Sequence, residues 1–472
     1  MSDQGCDIGL IGLGTMGRNF VLNMADHGFA VAAYNRTIEK TKDFMANEVG
    51  SRPIQAGYDL QEFVGLLRRP RALILLVAAG DPVDAVIKEL LPLLEVGDLI
   101  IDAGNSHFTD TNRRGKFLGA KNLQFMGMGI SGGEAGARYG PSLMPGGSQE
   151  MYDRVGPILE AASADVNGDP CVTYLGPGSA GHYVKMVHNG IEYGLMELIV
   201  ETYDLFKRGL GLTPAELAPL YDRWNRAELN SFLMEITARI FTRQDDRTDR
   251  FLVDMILDKA KQKGTGMWTS WDAMDLQVGT PTIDAAVVMR DLSGYKEERQ
   301  DAAKFLAGPS PTFQGDKPRF IEQVKNALYA SMIATYAQGM VLLQRASATY
   351  AYNLDLEAVA RIWRGGCIIR AALLEDIRTA YKARADLPNL LMDPHLGQAF
   401  LSREADLREV VQVAAGLGLP APAFMATLSY FDAYRSAMLP ANLIQAQRDF
   451  FGAHQYERLD AEGSFHTQWD KG

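Results

Sequence analysis

One apolar segment of the chain carries three polar residues whose types and spacing suit acid–base chemistry. Lys185, Asn189 and Glu192 are separated by four and three residues inside the run 180–208, whose periodicity predicts a single helix. At about 100° per residue they fall on one face, and Lys185 and Glu192 are about 10 Å apart along the axis, too far for a good ion pair. Lys185 and Glu192 are therefore either solvated charges or a base and an acid that serve one ligand. The segments of the chain that surround this helix distinguish the two interpretations.

A glycine motif near the N-terminus predicts a binding site for a dinucleotide. An apolar strand from residue 7 runs into Gly12-Leu13-Gly14-Thr15-Met16-Gly17, and a helix over 18–27, closed by Gly28, and a strand over 30–34 follow. In this context Gly12 permits a tight turn, Gly14 lets the backbone approach a pyrophosphate, and Gly17 allows close packing of helix on strand. The alternative is a glycine-rich turn without a ligand.

The end of the second predicted strand indicates which dinucleotide is bound. NAD-binding domains place Asp or Glu there for the ribose 2′-hydroxyl, whereas this chain has Asn35-Arg36-Thr37. Arg36 offers a planar set of donors that suits a 2′-phosphate. Thr37 can donate its hydroxyl and can also cap a helix predicted over 38–47. NADP is therefore favoured over NAD.

Further strand and helix patterns complete a predicted cofactor-binding domain over residues 1–178. Strands are predicted over 71–77, 99–103, 123–130 and 171–175, helices over 82–94 and 149–162, and an ordered loop over 135–147. The first three of these strands end at Ala78, at Gly104-Asn105-Ser106 and at Ser131-Gly132-Gly133. Because ligands of such sheets bind beyond the carboxyl ends of the strands, these loops should face cofactor and substrate. The Ser-Gly-Gly turn either holds a carboxylate with its main-chain N–H groups or is only a flexible turn.

Helical patterns dominate after Ser179. Helices are predicted over 214–226, 230–241, 283–306, 321–346, 356–382, 396–416 and 421–438. Thr213-Pro214-Ala215-Glu216 has the pattern of a capping box. The predicted fold class is α/β plus all-α: a Rossmann-like dinucleotide-binding domain, a large all-helical domain over 179–439 and a short C-terminal tail over 440–472. The aromatic residues of the tail favour docking on another subunit.

Composition excludes several classes of function. The net charge of −11 argues against nucleic acid and anionic membranes as partners. The three cysteines are far apart and the seven histidines form no pair at i, i+4, which predicts a reducing compartment and no protein-built metal site. The N-terminal apolar run is short and broken by glycine, unlike a signal peptide, and no run reaches the ~18 apolar residues of a membrane helix. A soluble, cytoplasmic protein is expected.

Several blocks of sequence together carry a resemblance to one family. The blocks are 12–17, 35–37, 104–106, 131–142, 185–193, 263–266, 363–370 and 448–454. In them the chain resembles the 6-phosphogluconate dehydrogenase family, NADP-dependent decarboxylating enzymes of the pentose phosphate pathway, over essentially its whole length. The resemblance implies oxidation of 6-phospho-D-gluconate to D-ribulose 5-phosphate and CO2, with reduction of NADP to NADPH.

The resemblance also implies roles for individual residues. Lys185 matches the base that takes the proton of the substrate hydroxyl, and Glu192 matches the acid that protonates the enediol left by loss of CO2. The matching cofactor-binding residues are Gly12, Leu13, Gly14, Thr15, Met16, Gly17, Asn35, Arg36, Thr37, Val77, Ala78, Ala79 and Asn105. The matching substrate-binding residues are Asn105, Ser131, Gly132, Gly133, His188, Asn189, Tyr193, Lys263, Thr265, Arg290, Arg448 and His454. Arg448 and His454 are expected to reach the site of a partner subunit in a homodimer.

Three positions depart from the family pattern. Ala78 and Met267 stand where the family usually has lysine, and His107-Phe108 stands where it has glutamate and an aromatic residue. These departures could change cofactor affinity or loop packing, and they remove no catalytic match.

Two rival functions stay open at the level of sequence. A related β-hydroxyacid dehydrogenase that oxidises without decarboxylating would need neither the phosphate-binding residues nor Glu192. A non-catalytic NADP-binding protein built on the same scaffold would need neither Lys185 nor Glu192. Release of CO2 and turnover with 6-phosphogluconate distinguish these alternatives.

Overall fold

The computed structural model describes residues 5–309 and 312–470. Within them the chain divides into two compact units between Thr427 and Leu428. The first unit begins with a sheet and its helices and continues as a series of helices. The second holds the end of the last of these helices, one further helix and a two-stranded ribbon. The predicted fold class is confirmed, while the predicted division at 178 and 439 stays a prediction.

Strands and helices alternate in the first 170 residues. They are β1 (Ile8–Ile11), α1 (Thr15–Asp26), β2 (Val31–Tyr34), α2 (Ile38–Asn47), β3 (Ile54–Ala56), α3 (Leu60–Gly65), β4 (Ala72–Leu75), α4 (Asp81–Leu90), β5 (Leu99–Asp102), α5 (Phe108–Gly119), β6 (Gln124–Ser131), α6 (Gly133–Tyr139), β7 (Ser142–Pro145), α7 (Gln149–Ala162), β8 (Asp165–Val166) and β9 (Asp169–Pro170).

Seven of these strands form one sheet in the order β3-β2-β1-β4-β5-β6-β7. All neighbours are parallel except β6 and β7. Every residue of β1, β4 and β5 is buried, as expected for strands covered by helices on both faces. Leu10 and Ile74 belong to one hydrophobic core, and Leu73 and Leu75 belong to another. Successive side chains of a strand point to opposite faces of the sheet, so these strands contribute to the cores on both faces.

Two predictions at the end of this sheet are wrong. The expected loop over 135–147 contains α6 and β7, because residues 142–145 pair antiparallel with the extended end of β6, in the register Ser131 to Ser142. The expected strand over 171–175 is absent from the sheet and leaves only an isolated bridge between Leu143 and Val172. Just before this segment, Asn167 and Gly168, both at positive φ, form the tight turn between β8 and β9.

The rest of the first unit is helical. Its helices are α8 (Ala180–Asp204), α9 (Pro214–Asn225), α10 (Phe232–Ile240), α11 (Thr265–Asp275), α12 (Pro281–Gly294), α13 (Lys296–Ala302), α14 (Lys317–Thr349), α15 (Leu356–Trp363), α16 (Leu373–Ala383), α17 (Pro394–Leu401), α18 (Glu404–Leu417) and the start of α19 (Pro422–Tyr434). Short 3-10 turns lie at Leu252–Asp254 and Leu390–Met392. The predicted capping box at the start of α9 is confirmed.

The predicted helix over 180–208 is confirmed as α8, which ends in a π-helical turn, Leu205–Gly209. Three other long predictions are wrong in extent, because 283–306, 356–382 and 396–416 each contain two helices. The break between α15 and α16 is the most consequential: Gly366 adopts φ +65°, and residues 364–372 leave the helix to contact β6.

The second unit contains the end of α19, then α20 (Ala441–Gly452), β10 (Tyr456–Glu457) and β11 (Ser464–Phe465), so the polar, aromatic tail forms regular structure in its described residues. The Asp449 carboxylate organises it by accepting hydrogen bonds from Gln455 N, Thr467 N and Trp469 Nε1, with His466 Nδ1 2.9 Å away. None of the described helices is long and apolar enough to cross a membrane.

Candidate active site

Lys185 lies on the part of α8 that packs against β6. It is buried, with 5% exposure, and its aliphatic stem fills the space beside Gly129, where an added Cβ would lie 2.3 Å from Lys185 Cβ. Among the described residues no hydrogen bond or ion pair reaches its Nζ. Burial lowers the pKa of Lys185, although Glu192 opposes the shift. The side chain therefore has the environment of an amine that can accept a proton.

Glu192 follows two helical turns later on the same helix. Burial raises the pKa of its carboxyl, with Lys185 and Arg290 acting in the opposite direction. Its nearest charged or titratable contact is His188 Nδ1, 3.9 Å from Oε2. A carboxyl in this environment keeps its proton closer to neutral pH than an exposed glutamate does, and can serve as an acid.

His188 stands between these two groups and is fully buried. Its ring packs edge-on against Trp363, with centroids 5.6 Å apart. Nε2 is 3.3 Å from Ser131 Oγ and Nδ1 is 3.1 Å from Asn189 Oδ1. Burial and the nearby Lys185 hold the pKa of His188 well below its usual value, so the imidazole is neutral.

Asn189 connects α8 to the start of α11. Its Nδ2 donates to Thr265 Oγ1 at 3.1 Å, and both side chains are buried. The structure thereby brings together residues 76 positions apart in the chain. Both were predicted to contact the substrate.

The Ser131-Gly132-Gly133 segment ends β6 beside His188. Gly132 and Gly133 have φ values of +131° and +62°, and Gly132 caps α6. A Cβ on Gly132 would lie 2.3 Å from Gly366 O, so this turn requires glycine because another loop packs directly on it. The alternative of a flexible turn is not supported by these contacts.

The loop 364–372 supplies contacts that residue-by-residue prediction missed. Ile368 N donates to Ser131 Oγ at 3.3 Å, and Tyr336 Oη donates to Ile369 O at 2.6 Å. Ser142 N donates to Gly366 O at 3.0 Å. The block 363–370 carries part of the family resemblance, but nothing in its sequence indicates that it supports the Ser131 turn.

The glycine motif has the geometry predicted for it. Gly12 adopts φ +114°, and a Cβ there would lie 2.4 Å from Leu76 O. A Cβ on Gly17 would lie 1.9 Å from Gly12 O, which makes the close packing of α1 on β1 dependent on glycine. A Cβ on Gly14 would meet nothing within 4 Å, so this position opens into free space where a pyrophosphate can approach the N-terminus of α1.

Asn35, Arg36 and Thr37 follow β2 directly beside this motif. Asn35 Oδ1 accepts from Leu13 N at 3.0 Å and its Nδ2 donates to Thr37 O at 3.1 Å, so Asn35 fixes the motif to the end of β2. Arg36 is exposed, and its guanidinium has no hydrogen-bond or ion-pair partner in the described part of the chain. Thr37 occupies the N-cap position of α2, but the predicted capping hydrogen bond from its side chain is absent. Its hydroxyl is therefore available to a ligand.

The loops after β4 and β5 lie at the same edge of the sheet. Val77, Ala78 and Ala79 follow β4 and are at least partly exposed. Asn105 is exposed on a loop held from beneath by the buried Asp102, which accepts from Ser106 Oγ at 2.7 Å. The two loops can thus present main-chain groups and an amide to a cofactor.

The predicted phosphate-binding residues lie partly together. The Arg290 guanidinium stacks 3.4 Å from the centroid of the Tyr193 ring. Tyr193 packs in turn on Gly266, where a Cβ would lie 2.4 Å from its ring, next to Thr265. Lys263 is exposed in the loop before α11. Arg448 and His454 belong to the second unit, where both are exposed.

Two family models match almost the whole chain. Residues 7–176 match the NAD binding domain of 6-phosphogluconate dehydrogenase, and residues 181–469 match its C-terminal domain. The chain belongs to the 6-phosphogluconate dehydrogenase family. Named relatives of the family are similar over their full length: the decarboxylating enzyme of Synechococcus elongatus is 56% identical, with 98% of each chain covered. The NADP(+)-dependent decarboxylating enzyme of Bacillus subtilis is 50% identical over 100% of both chains.

A solved structure from the 6-phosphogluconate dehydrogenase family has the same fold. The Plasmodium falciparum enzyme, studied as apoenzyme and with its cofactor NADP+ and its substrate 6-phosphogluconate, matches with a TM-score of 0.94 and 45% identity. The match covers 98% of this chain and 100% of that chain.

Two positions that depart from the pattern of the 6-phosphogluconate dehydrogenases, Met267 and His107, are accommodated by packing, whereas Ala78 is exposed. Met267 packs against Tyr193 and its neighbours rather than presenting a charge. His107 caps α5 by accepting from Thr109 N, and the edge of its ring meets Trp268 of α11 with centroids 4.9 Å apart. Burial lowers the pKa of His107, which favours the uncharged ring in this contact.

Proposed function

We propose that this chain oxidises and decarboxylates 6-phospho-D-gluconate to D-ribulose 5-phosphate and CO2 with NADP as hydride acceptor. The observation that carries the proposal is the environment of α8. It holds an unpaired buried amine and a partly buried carboxyl of raised pKa two turns apart, beside the carboxyl edge of a dinucleotide-binding sheet. Oxidation followed by decarboxylation needs a base first and an acid later, and these two groups suit those steps.

The residues around the glycine motif fit NADP. The open space at Gly14 suits the pyrophosphate. The guanidinium of Arg36 and the hydroxyl of Thr37, which have no partner among the described residues, suit the 2′-phosphate. We infer that the loops at Val77–Ala79 and at Asn105 complete this site. When bound, NADP supplies the nicotinamide ring that takes up the hydride.

Lys185 acts as the base in the first step. A secondary alcohol releases hydride readily only if its hydroxyl proton leaves as well, and a neutral amine can accept that proton. Burial favours the neutral form of Lys185. The product of this step is a 3-keto acid, and the protonated lysine can then donate a hydrogen bond to its carbonyl oxygen.

Glu192 acts as the acid after decarboxylation. Loss of CO2 leaves the bonding electrons on the substrate, and transfer of the Lys185 proton to the carbonyl oxygen makes an enediol. The enediol becomes a ketone when a carbon atom is protonated and the hydroxyl proton returns to Lys185. The raised pKa of Glu192 keeps a proton available for that transfer. The separation of about 10 Å along the helix lets the lysine and the glutamate serve different atoms of one sugar acid.

We assign binding of the substrate to four groups of surrounding residues. The carboxylate and hydroxyls are held by Asn105, the Ser131 turn and the His188–Asn189 pair, and the phosphate by the cluster of Tyr193, Lys263, Thr265 and Arg290. We further propose a homodimer in which the tail over 440–472 of one subunit brings Arg448 and His454 to the phosphate site of its partner. The large exposed side chains Leu443, Ile444, Phe450 and Phe451 on α20 support a role of this unit in subunit contact.

The proposal is tested by one assay with two readouts. Purified protein is incubated with 6-phosphogluconate and either NADP or NAD, while NADPH or NADH is followed by absorbance and released CO2 by mass spectrometry. We expect equal amounts of NADPH and CO2 and a much lower rate with NAD. NADPH without CO2 would favour an oxidising, non-decarboxylating enzyme, and NADPH binding without turnover would favour a non-catalytic protein.

A further inference from the structure

A continuous chain of hydrogen bonds runs beneath the candidate substrate site. It begins at Ile368 N, which donates to Ser131 Oγ at 3.3 Å, and continues over 3.3 Å from Ser131 Oγ to His188 Nε2. His188 Nδ1 lies 3.1 Å from Asn189 Oδ1, and Asn189 Nδ2 donates to Thr265 Oγ1 at 3.1 Å. The chain links β6, α8, α11 and the loop 364–372.

The hydrogen of the Ser131 hydroxyl indicates the direction of the chain. A main-chain N–H can only donate, so Ser131 Oγ accepts from Ile368, and its single hydrogen needs an acceptor of its own in this buried position. The acceptor within reach in the described structure is His188 Nε2. On the other side of the ring, Nδ1 lies 3.1 Å from Asn189 Oδ1, an oxygen that can only accept. The Ser131 hydrogen and the Asn189 oxygen are therefore both satisfied when the His188 proton is on Nδ1.

The far end of the chain is consequently a donor. With Asn189 Oδ1 accepting from His188, the amide nitrogen is turned to Thr265, whose oxygen accepts. Within the described residues the hydroxyl hydrogen of Thr265 then finds no acceptor. Thr265 is the first residue of α11 and lies next to Gly266, on which the ring of Tyr193 packs beneath Arg290.

We propose that this chain runs in one direction, from Ser131 to Thr265, so that His188 is the neutral Nδ1–H tautomer and the Thr265 hydroxyl donates to the substrate phosphate. The Ile368 main-chain amide supports this direction by occupying one lone pair of Ser131 Oγ. The role of the phosphate rests on the proposed function, whereas the tautomer does not. The loop that carries the amide is fixed from both sides, since Ile369 O accepts from Tyr336 Oη at 2.6 Å and Gly366 O accepts from Ser142 N at 3.0 Å. The Ile368 amide therefore cannot turn away without breaking these bonds.

The tautomer is measured by NMR on the full-length protein without substrate. The protein is labelled with 15N-histidine, and the His188→Gln variant identifies the signals of His188 among those of the seven histidines. We expect a protonated, pyrrole-type Nδ1 and an unprotonated, pyridine-type Nε2. In Ser131→Ala the Nε2 signal should move further towards that of a free pyridine-type nitrogen, because its hydrogen bond is lost. A protonated Nε2 in the unmodified protein would overturn the proposal.

Ser142→Ala is the matched control for Ser131→Ala. Ser142 pairs with Ser131 across β6 and β7, is equally buried, and donates to Ile362 O at 2.7 Å rather than to the histidine. We expect removal of the Ser142 hydroxyl to leave the chemical shifts of the His188 ring nitrogens unchanged. If both variants shift Nε2 alike, the signal reports general packing and the direction assigned to the chain is refuted.

A double-mutant cycle tests the donor role of Thr265. Thr265→Val should raise the KM for 6-phosphogluconate by about tenfold, as expected for loss of a hydrogen bond to a charged group, and leave kcat nearly unchanged. Asn189→Asp removes the donor to Thr265, so the Thr265 hydrogen turns to the new carboxylate. Asn189→Asp should therefore raise KM more in the unmodified enzyme than in Thr265→Val. If Asn189→Asp raised KM by the same factor in the unmodified enzyme and in Thr265→Val, the donor role of Thr265 would be refuted. Absence of turnover in the unmodified enzyme would refute the proposed function instead.

Discussion

Replacing Gly129 by alanine should displace the candidate base without altering any titratable group. An added Cβ at this position in β6 would lie 2.3 Å from Lys185 Cβ and 2.7 Å from Lys185 Cγ. Ordinary van der Waals contact begins at 3.4 Å, so β6 and the lysine stem must separate by about 1 Å. The neighbouring atoms belong to a packed strand and a buried helix, and neither can yield as the end of a flexible side chain would.

The size of the effect follows from that displacement. A misplacement of about 1 Å in catalytic geometry lowers the rate by about 100-fold, and overpacking of this kind destabilises a core by about 1–3 kcal/mol. We therefore expect Gly129→Ala to lower kcat by about 100-fold while most of the protein stays folded. The assay is the rate of NADPH formation at saturating NADP and 6-phosphogluconate, with the free energy of unfolding measured in urea alongside.

Gly127→Ala provides the control on the same face of the same strand. Its Cβ would lie 2.6 Å from Thr111 Cγ2 and 2.7 Å from His182 Nδ1, so it strains the same helix one turn before Lys185. We expect a similar loss of stability with a smaller loss of kcat. Equal losses of kcat in both variants would mean that any shift of α8 is harmful. Full activity in a folded Gly129→Ala would refute the argument that Gly129 sets the position of Lys185.

Four further predictions follow from the site and from the tail. Arg36→Ala should raise the KM for NADP much more than the KM for NAD, because the exposed guanidinium, which has no partner among the described residues, suits the 2′-phosphate that only NADP carries. Equal changes in the two KM values, measured by steady-state kinetics, would contradict this contact. Since burial lowers the pKa of Lys185 and raises that of Glu192 in the protein without ligand, kcat/KM should fall at acid pH as the lysine is protonated and at alkaline pH as the glutamate loses its proton. Glu192→Gln should lower kcat by about 100-fold or more and remove the alkaline limb of this pH profile, and an unchanged limb would assign that limb to another group. Asp449→Asn should raise the KM for 6-phosphogluconate and leave that for NADP unchanged, since this carboxylate organises the unit that carries Arg448 and His454; a shift in both constants would indicate general unfolding.

The features that sequence predicts well are those set by local backbone requirements. Gly12 and Gly17 are needed because one adopts a positive φ and the other allows α1 to touch β1, and both needs are readable from the spacing of the motif. The helix α8 is predicted because its apolar residues recur at helical intervals over its whole length. In these cases the information lies within a few neighbouring residues.

The features that sequence predicts poorly depend on distant partners. The segment 142–145 becomes β7 because β6 offers it an edge to pair with, and its own residues do not distinguish a strand from a loop. Residues 364–372 lie inside a run that looks helical, yet they leave the helix and pack on the Ser131 turn. Helical periodicity continues across such a break, because a short loop with buried side chains resembles a turn of a buried helix.

The sequence by itself therefore determined the dinucleotide motif, the helix that carries Lys185 and Glu192, and the resemblance to one family. Only the tertiary structure decided the environment of those two residues, because the pKa of a lysine or a glutamate depends on what buries it. The same is true of the contact between Ile368 and Ser131, which joins positions 237 residues apart. Such a contact leaves no trace in local periodicity, since it exists only when the helices are folded against the edge of the sheet.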